Sequence, residues 1–221
     1  MVTRVVLYAE GSAELGFAAR PTCRPGHALE SRTLGPAHEL VRRCIEHVSS
    51  SMPDDVKFEA PLLCGGRHAV GSDLSDRRNL RQLLTWPDLS MRPDLAVLLV
   101  DHDGTPERRS TLRGLLSTPP LTSTWVLGIA IEEFEAWLVA DIVALGNALG
   151  ESIPQDKNPE SLPPGRAKST LLEHIGKRQL DEPKVRMQVA ASCDIDRVSK
   201  ECRAFEDFLT DLRHAIPNPR S

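Results

Sequence analysis

Cysteine is sparse and irregularly spaced in this chain, which argues against two ways of stabilising a small domain. There are five cysteines among 221 residues, and no two of them form a C-x-x-C pair. Neither a structural zinc site nor a framework of disulfides fits that pattern. No signal peptide is visible, so we predict a protein of the reducing cytoplasm.

Excess positive charge and long apolar runs are also missing. The 27 Lys and Arg residues are outnumbered by 31 Asp and Glu residues, which gives a formal net charge of −4. Any surface that binds nucleic acid must therefore be local. The longest aliphatic run, "LAVLLV" at 95–100, is far too short to span a bilayer, so we predict no membrane partner. The sequence has no G-x-x-x-x-G-K-[ST] motif, so ATP hydrolysis would have to come from another protein.

The chain does contain an alternation of predicted strands and helices. Short apolar runs predict strands at 4–8 ("RVVLY"), 56–63 ("VKFEAPLL"), 94–101 ("DLAVLLVD") and 123–131 ("STWVLGIAI"). Helical spacing of apolar residues predicts helices at 35–48, 75–86, 105–117 and 132–149. This alternation predicts an α/β fold in which helices flank a central, mostly parallel sheet.

The pattern changes after residue 150. Residues 151–170 are polar and rich in proline, which is typical of a loop or linker. Helical segments follow at 167–177, 185–193 and 197–216. We therefore predict a metal-binding α/β domain over residues 1–150 and a helical C-terminal extension over residues 151–221.

Acidic residues follow three of the predicted strands. They are Glu10 after the first strand, Asp101 and Asp103 after the third, and Glu132 and Glu133 after the fourth. Because ligands of parallel sheets bind at the carboxyl ends of the strands, these carboxylates are candidate ligands for Mg²⁺, which prefers oxygen. Crowded carboxylates repel one another, so such a cluster would be costly without a cation.

Each acidic segment also has a simpler explanation. Glu10 lies in an "EGS" turn, where a solvated acid is ordinary, and Asp103-Gly104 is a common turn composition. Glu132 and Glu133 begin a predicted helix, whose positive end favours acids. The functional interpretation depends on all three segments sharing one edge of the sheet, which independent surface acids would not need to do.

Three stretches together resemble the TOPRIM group of metal-dependent domains, found in topoisomerases, bacterial primases and OLD-type nucleases. They are "LYAEGSAE" with Glu10, "LLVDHDG" with Asp101 and Asp103, and "IAIEEFEAWLVAD" with Glu132 and Glu133. The last stretch resembles a bacterial TOPRIM-like family whose members are often encoded beside an ABC- or OLD-type ATPase, in apparent phage defence or DNA-repair cassettes. The resemblance covers most of the chain and implies a TOPRIM-like central sheet.

The resemblance also implies an activity and its residues. Mg²⁺, or alternatively Mn²⁺, would be held mainly by Asp101 and Asp103, with Glu10 as ligand or general acid/base. Either Glu132 or Glu133 would complete a second metal position. The implied activity is phosphodiester cleavage of nucleic acid, DNA in particular, with a partner ATPase.

Basic residues near this site are candidates for binding phosphate. Arg78, with its neighbours Arg77 and Arg81, belongs to one predicted helix, and Lys168 follows the proline-rich loop. We predict Arg78 and Lys168 as phosphate-binding residues, although each of these side chains is also ordinary surface composition.

Two alternatives stay open. "LLVDHDGT" matches the first motif of haloacid-dehalogenase-type phosphatases, in which Asp101 would be the nucleophile and Asp103 the acid/base. That family needs a later pair of acids, for which "SCDIDRV" (192–198) is the nearest candidate. The other alternative is a non-catalytic subunit of an ATPase assembly, in which the acids serve structure or regulation.

Overall fold

A computed structural model describes most of the chain: residues 3–16, 28–49, 56–63, 67–69, 71–86, 93–102, 104, 107–117, 123–154 and 158–216. Its centre is a four-stranded sheet in the order β2-β1-β3-β4, and all three pairings are parallel. The strands are β1 (Thr3–Ala9), β2 (Val56–Glu59), β3 (Leu95–Asp101) and β4 (Thr124–Ala130). The predicted α/β class, with helices flanking a parallel sheet, is confirmed.

Helices connect the strands and continue after the last one. They are α1 (Ser12–Leu15), α2 (Pro36–Ser49), α3 (Gly71–Ser75), α4 (Arg77–Trp86), α5 (Arg108–Leu116), α6 (Glu135–Val139), α7 (Ile142–Leu149), α8 (Arg166–Arg178), α9 (Glu182–Ser192), α10 (Ile195–Glu201) and α11 (Arg203–Ala215). Short 3-10 turns lie at Ser31–Thr33 and Pro159–Ser161. Within the described ranges, no helix combines the length and apolarity needed to cross a membrane.

Both faces of the sheet are buried, because successive side chains of a strand point to opposite sides. One face joins the larger core with α2 and the helices that follow β4; its strand residues include Val5, Leu7, Val97, Leu99 and Val126. The other face packs on α4 and α5; its strand residues include Val6, Tyr8, Leu98, Val100 and Leu127. Burial on both faces explains why these strands are continuous apolar runs in the sequence.

The C-terminal helices pack into the same core as the sheet. Phe205 and Phe208 of α11 are buried, and Phe208 stacks on Trp137 of α6 with a centroid distance of 5.8 Å. Gly128 of β4 makes this packing possible, because a Cβ there would lie 3.2 Å from Phe208 Cδ2. The boundary at residue 150 stays a prediction, since a shared core does not settle where a domain ends.

Two predicted helices are wrong in their continuity. The helix expected over 132–149 is divided into α6 and α7, because the Asp141 carboxylate accepts hydrogen bonds from the N–H groups of Val143 and Ala144 and starts a new helix. The helix expected over 197–216 is divided at Cys202, which has an extended backbone between α10 and α11. In both places one side chain or backbone turn overrides a continuous apolar pattern.

Candidate functional site

The carboxyl ends of β1 and β3 bring the first two acidic segments together. These strands are neighbours, with Ala9 beside Leu99 in register. Glu10 directly follows β1, and its Oε2 accepts a hydrogen bond of 2.9 Å from the backbone N–H of Asp101. Two acids that are 91 residues apart in sequence are therefore in contact through a hydrogen bond.

The carboxyl end of β4 adds the third segment. Asp101 is in register with Ala130, the last residue of β4, and Glu132 and Glu133 follow within the next turn. The Glu132 backbone has a φ of 61°, in the left-handed region that non-glycine residues rarely adopt. Strained backbone of this kind is often found at functional sites.

A cavity of about 260 Å³ lies at this edge of the sheet, and residues of both the β3 and the β4 acidic segments line it. Its described lining consists of Asp101, Gly104, Glu132, Glu133, Pro164 and Gly165. We call Glu10, Asp101, Glu132 and Glu133 the acidic edge. Both candidate glutamates after β4 line the cavity, so position alone does not choose between them.

The remaining predicted site residues have different positions. Asp103 lies outside the described residues. Arg78 is exposed on α4 and is not among the described residues that line the cavity. Lys168 lies in the first turn of α8, where its backbone N–H donates a hydrogen bond of 2.6 Å to Glu133 Oε1. Its ammonium group is 3.9 Å from Glu135, so Lys168 contacts carboxylates of the site.

Arg108, in the first turn of α5, is a site residue that the sequence analysis missed. Its Nη1 donates a hydrogen bond of 2.6 Å to the carbonyl oxygen of Asp101, and its Nη2 forms an ion pair with Glu10 Oε1. The side chains of Arg108 and Glu10 are only 12% and 14% exposed. A helix that follows β3 must begin over the same edge of the sheet, so an arginine in its first turn was the available signal.

A second layer of charge lies behind the acidic edge. Arg186 of α9, which is 1% exposed, forms ion pairs with Glu135 at 2.7 Å and with Glu182 at 2.8 Å. Glu14 of α1 is also buried, and one of its oxygens accepts a hydrogen bond of 3.0 Å from the N–H of Gly11. Glu14 is close enough to Glu10 and Arg186 to interact with both charges, so this layer adjoins the acidic edge.

Burial and mutual repulsion raise the pKa values of two of these acids. Burial, with contributions from the carboxylates of Glu135 and Glu10, raises the pKa of Glu14 to about 7, although the Gly11 N–H and Arg186 oppose the shift. Burial also raises the pKa of Glu133, against the stabilising N–H of Lys168. Burial is the largest cause in both cases, so these two carboxyls keep a proton more readily than exposed glutamates do.

The donors of the acidic edge suit a hard cation such as Mg²⁺, because all of them are carboxylate oxygens. Over the described ranges, however, no three His, Cys, Asp or Glu side chains are arranged to hold a metal ion. Each oxygen of Glu10 already accepts a hydrogen bond, and one oxygen of Glu133 does so. Metal binding at this edge would therefore require these side chains to exchange partners.

The acids of "SCDIDRV" lie elsewhere. Asp194 caps α10 and donates its N–H to Asp141, and the carboxylate of Asp196 is 3.4 Å from His47 near the end of α2. Helix α2 connects two parallel strands, so it runs back and ends towards their amino ends. The structure therefore does not bring this pair to Asp101, as a phosphatase of the haloacid-dehalogenase type would need.

The chain matches a known protein family. The family described as "Domain of unknown function (DUF4276)" matches residues 39–213. No curated protein and no solved structure matches the chain significantly. The matched segment includes Asp101, Arg108, Glu132 and Glu133, and it begins after Glu10.

Proposed function

The chain belongs to the DUF4276 family, and we propose that it is a Mg²⁺-dependent nuclease with a TOPRIM-like core. The single observation that carries this proposal is the meeting of three acidic segments at one edge of a parallel sheet. Asp101, Glu132 and Glu133 line one cavity, and Glu10 is hydrogen-bonded to the N–H of Asp101. Carboxylates in this position suit a divalent cation, which in turn would bind and polarise an anionic phosphodiester.

Each residue has a proposed role. Asp101, with Glu132 or Glu133 and with Asp103, would hold Mg²⁺, and Mn²⁺ would substitute for it. When bound, the cation would lower the pKa of a coordinated water and stabilise negative charge on the oxygens around phosphorus. Glu10 would serve as ligand or general acid/base, held in place by the Asp101 N–H.

We also propose that the protein acts on DNA together with an ABC- or OLD-type ATPase. The net charge of −4 argues that the chain binds DNA weakly by itself, because affinity for DNA comes mainly from basic residues on phosphates. A partner ATPase would supply both that affinity and the energy of ATP. Such an assembly fits phage defence or DNA repair in the cytoplasm.

A cleavage assay tests the activity. Purified protein is incubated with DNA and Mg²⁺ or Mn²⁺, alone and with an ABC- or OLD-type ATPase encoded beside its gene. Asp101→Asn should slow cleavage by about a hundredfold or more, because metal-bound water and charge stabilisation supply several kcal/mol. Asp94→Asn is the matched control, since Asp94 immediately precedes β3, at the end opposite to Asp101, and accepts a hydrogen bond from Arg4 N–H. No cleavage in any setting would refute the nuclease proposal.

A non-catalytic subunit is the second candidate. The observation that favours it is the pairing of Glu10 with Arg108, because an internal ion pair can stabilise an acidic edge that never binds metal. In that case wild-type protein would cut no DNA, and Asp101→Asn would bind the ATPase as wild type does. Hydrolysis of small phosphomonoesters in the same assay would instead favour the phosphatase.

A further inference from the structure

We propose that Arg108 is an exchangeable counter-cation, which occupies Glu10 until a divalent metal ion displaces it and then binds a phosphate of the substrate. This inference rests on the proposed metal-dependent function. It adds the event that opens the site and a residue for substrate binding that no sequence motif indicated.

The contacts of Arg108 are those of a side chain that takes the place of a cation. One nitrogen of its guanidinium pairs with Glu10 Oε1, and another donates to the Asp101 carbonyl at 2.6 Å. The other oxygen of Glu10 accepts the Asp101 N–H at 2.9 Å. Arg108 thus neutralises Glu10 and joins it to the end of β3, at the place where the proposed metal would bind.

Because Glu10 is mostly buried, Arg108 and a metal ion should compete for its carboxylate. The Glu10 carboxylate is only 14% exposed, so leaving it ionised without a cationic partner would be costly. Two cations on one carboxylate would repel each other across a short distance of low dielectric. Metal binding to Glu10 should therefore release Arg108, and release of Arg108 should favour metal binding.

The rest of α5 is held while the Arg108 side chain moves. Arg109 pairs with Asp207 at 2.5 Å and Arg113 with Asp211 at 3.4 Å, and both acids belong to α11. These two ion pairs hold α5 against α11. A released Arg108 would stay at the acidic edge, where its planar guanidinium suits two oxygens of a phosphate.

The affinity for Mn²⁺ tests the exchange without any catalytic readout. Titration calorimetry with Mn²⁺ compares wild type, Arg108→Gln and Arg109→Gln. We expect Arg108→Gln to bind Mn²⁺ roughly tenfold more tightly, because a charge-assisted hydrogen bond no longer competes for Glu10. Arg109→Gln is the matched control: it removes the same charge from the neighbouring position without touching Glu10. It should stay close to wild type, because Arg113 still pairs with Asp211 and holds α5.

Thermal denaturation separates exchange from a purely structural role. Arg108→Gln should melt below wild type without metal, and saturating Mn²⁺ should abolish that difference because the ion then neutralises Glu10. Binding of an uncleavable phosphorothioate oligonucleotide in Ca²⁺ should be weaker for Arg108→Gln than for Arg109→Gln.

The outcomes that overturn the inference are distinct. Equal or weaker Mn²⁺ affinity of Arg108→Gln, or a melting deficit that persists in Mn²⁺, shows that Arg108 is structural and leaves the nuclease proposal standing. Equal oligonucleotide binding by Arg108→Gln and Arg109→Gln would show that Arg108 does not bind a phosphate of the substrate. Absence of Mn²⁺ binding to wild type overturns both the inference and the metal-dependent function.

Discussion

Replacing Glu14 with glutamine should stabilise the protein at alkaline pH and leave its stability at acidic pH almost unchanged. Glu14 is buried, with a pKa raised from 4.5 to about 7. Glutamine has nearly the same shape, and its side-chain oxygen can still accept the hydrogen bond from the Gly11 N–H. The substitution therefore removes the cost of ionising a buried acid and little else.

The direction of the effect follows from proton linkage. Below pH 4.5 the carboxyl is protonated in both states, so it carries no penalty. As the pH rises from 4.5 to about 7, the unfolded chain releases the proton first and the folded state loses stability. Above pH 7 the penalty is complete, and it amounts to about 3 kcal/mol from the difference between the two pKa values.

Urea denaturation from pH 5 to pH 8.5 provides the assay. The free energy of unfolding of Glu14→Gln should exceed that of wild type by a difference that grows with pH, towards about 3 kcal/mol. Glu173→Gln serves as the control, because this glutamate of α8 is 54% exposed and should change stability by less than about 0.5 kcal/mol at any pH. A difference that does not vary with pH, or a less stable Glu14→Gln at pH 8, would refute the reasoning.

Four further substitutions test the packing and strain around the site. Arg186→Met leaves a buried glutamate without its partner and should cost about 3 kcal/mol in urea denaturation; a neutral result would show that the pair contributes nothing. Gly128→Ala places a carbon 2.8 Å from a leucine side chain of β3 and should lower the unfolding free energy by about 1–3 kcal/mol, whereas Gly114→Ala, with nothing within 4 Å, should raise it by up to about 1 kcal/mol in the same denaturation. Equal effects of these two glycine replacements would contradict the packing described for β4. Glu132→Gly relieves the strain of a φ of 61°. It should raise the free energy of unfolding by about 1 kcal/mol, seen as a higher melting temperature, and should slow DNA cleavage. Loss of stability would show that the backbone is not strained.

The strands were predictable because burial on both faces leaves little sequence freedom. "LAVLLV" becomes the central strand β3, and the predicted limits of β3 and β4 agree with the structure to within one residue at each end. Helix α3 was not predicted, because its five residues include a single large apolar side chain, Leu74, and so show no apolar period. It depends instead on tertiary contacts, such as the pairing of its buried Asp73 with Arg67 at 2.7 Å.

The acidic edge was predictable only in part. Placing Glu10 and Asp101 near each other required only that β1 and β3 be neighbours, and they are. The direction of the Arg108 side chain depends on where α5 begins, which the sequence pattern did not define. Glu14 lies where α1 closely approaches the residue before α2: a Cβ on Gly35 would lie 2.2 Å from the Glu14 carbonyl oxygen. An arginine in the first turn of α5 was a usable signal for the contact with Glu10, whereas the approach of Gly35 to Glu14 leaves no local signal in the sequence.

Binding of Mn²⁺, followed by electron paramagnetic resonance, tests the central claim most directly, because free Mn²⁺ gives a strong signal that is lost on binding. Wild type and Asp94→Asn should bind the ion alike, since Asp94 lies at the amino end of β3. Asp101→Asn should bind at least about tenfold more weakly, because it removes a carboxylate ligand from the cavity. Equal binding by Asp101→Asn and wild type would show that the acidic edge does not hold a cation.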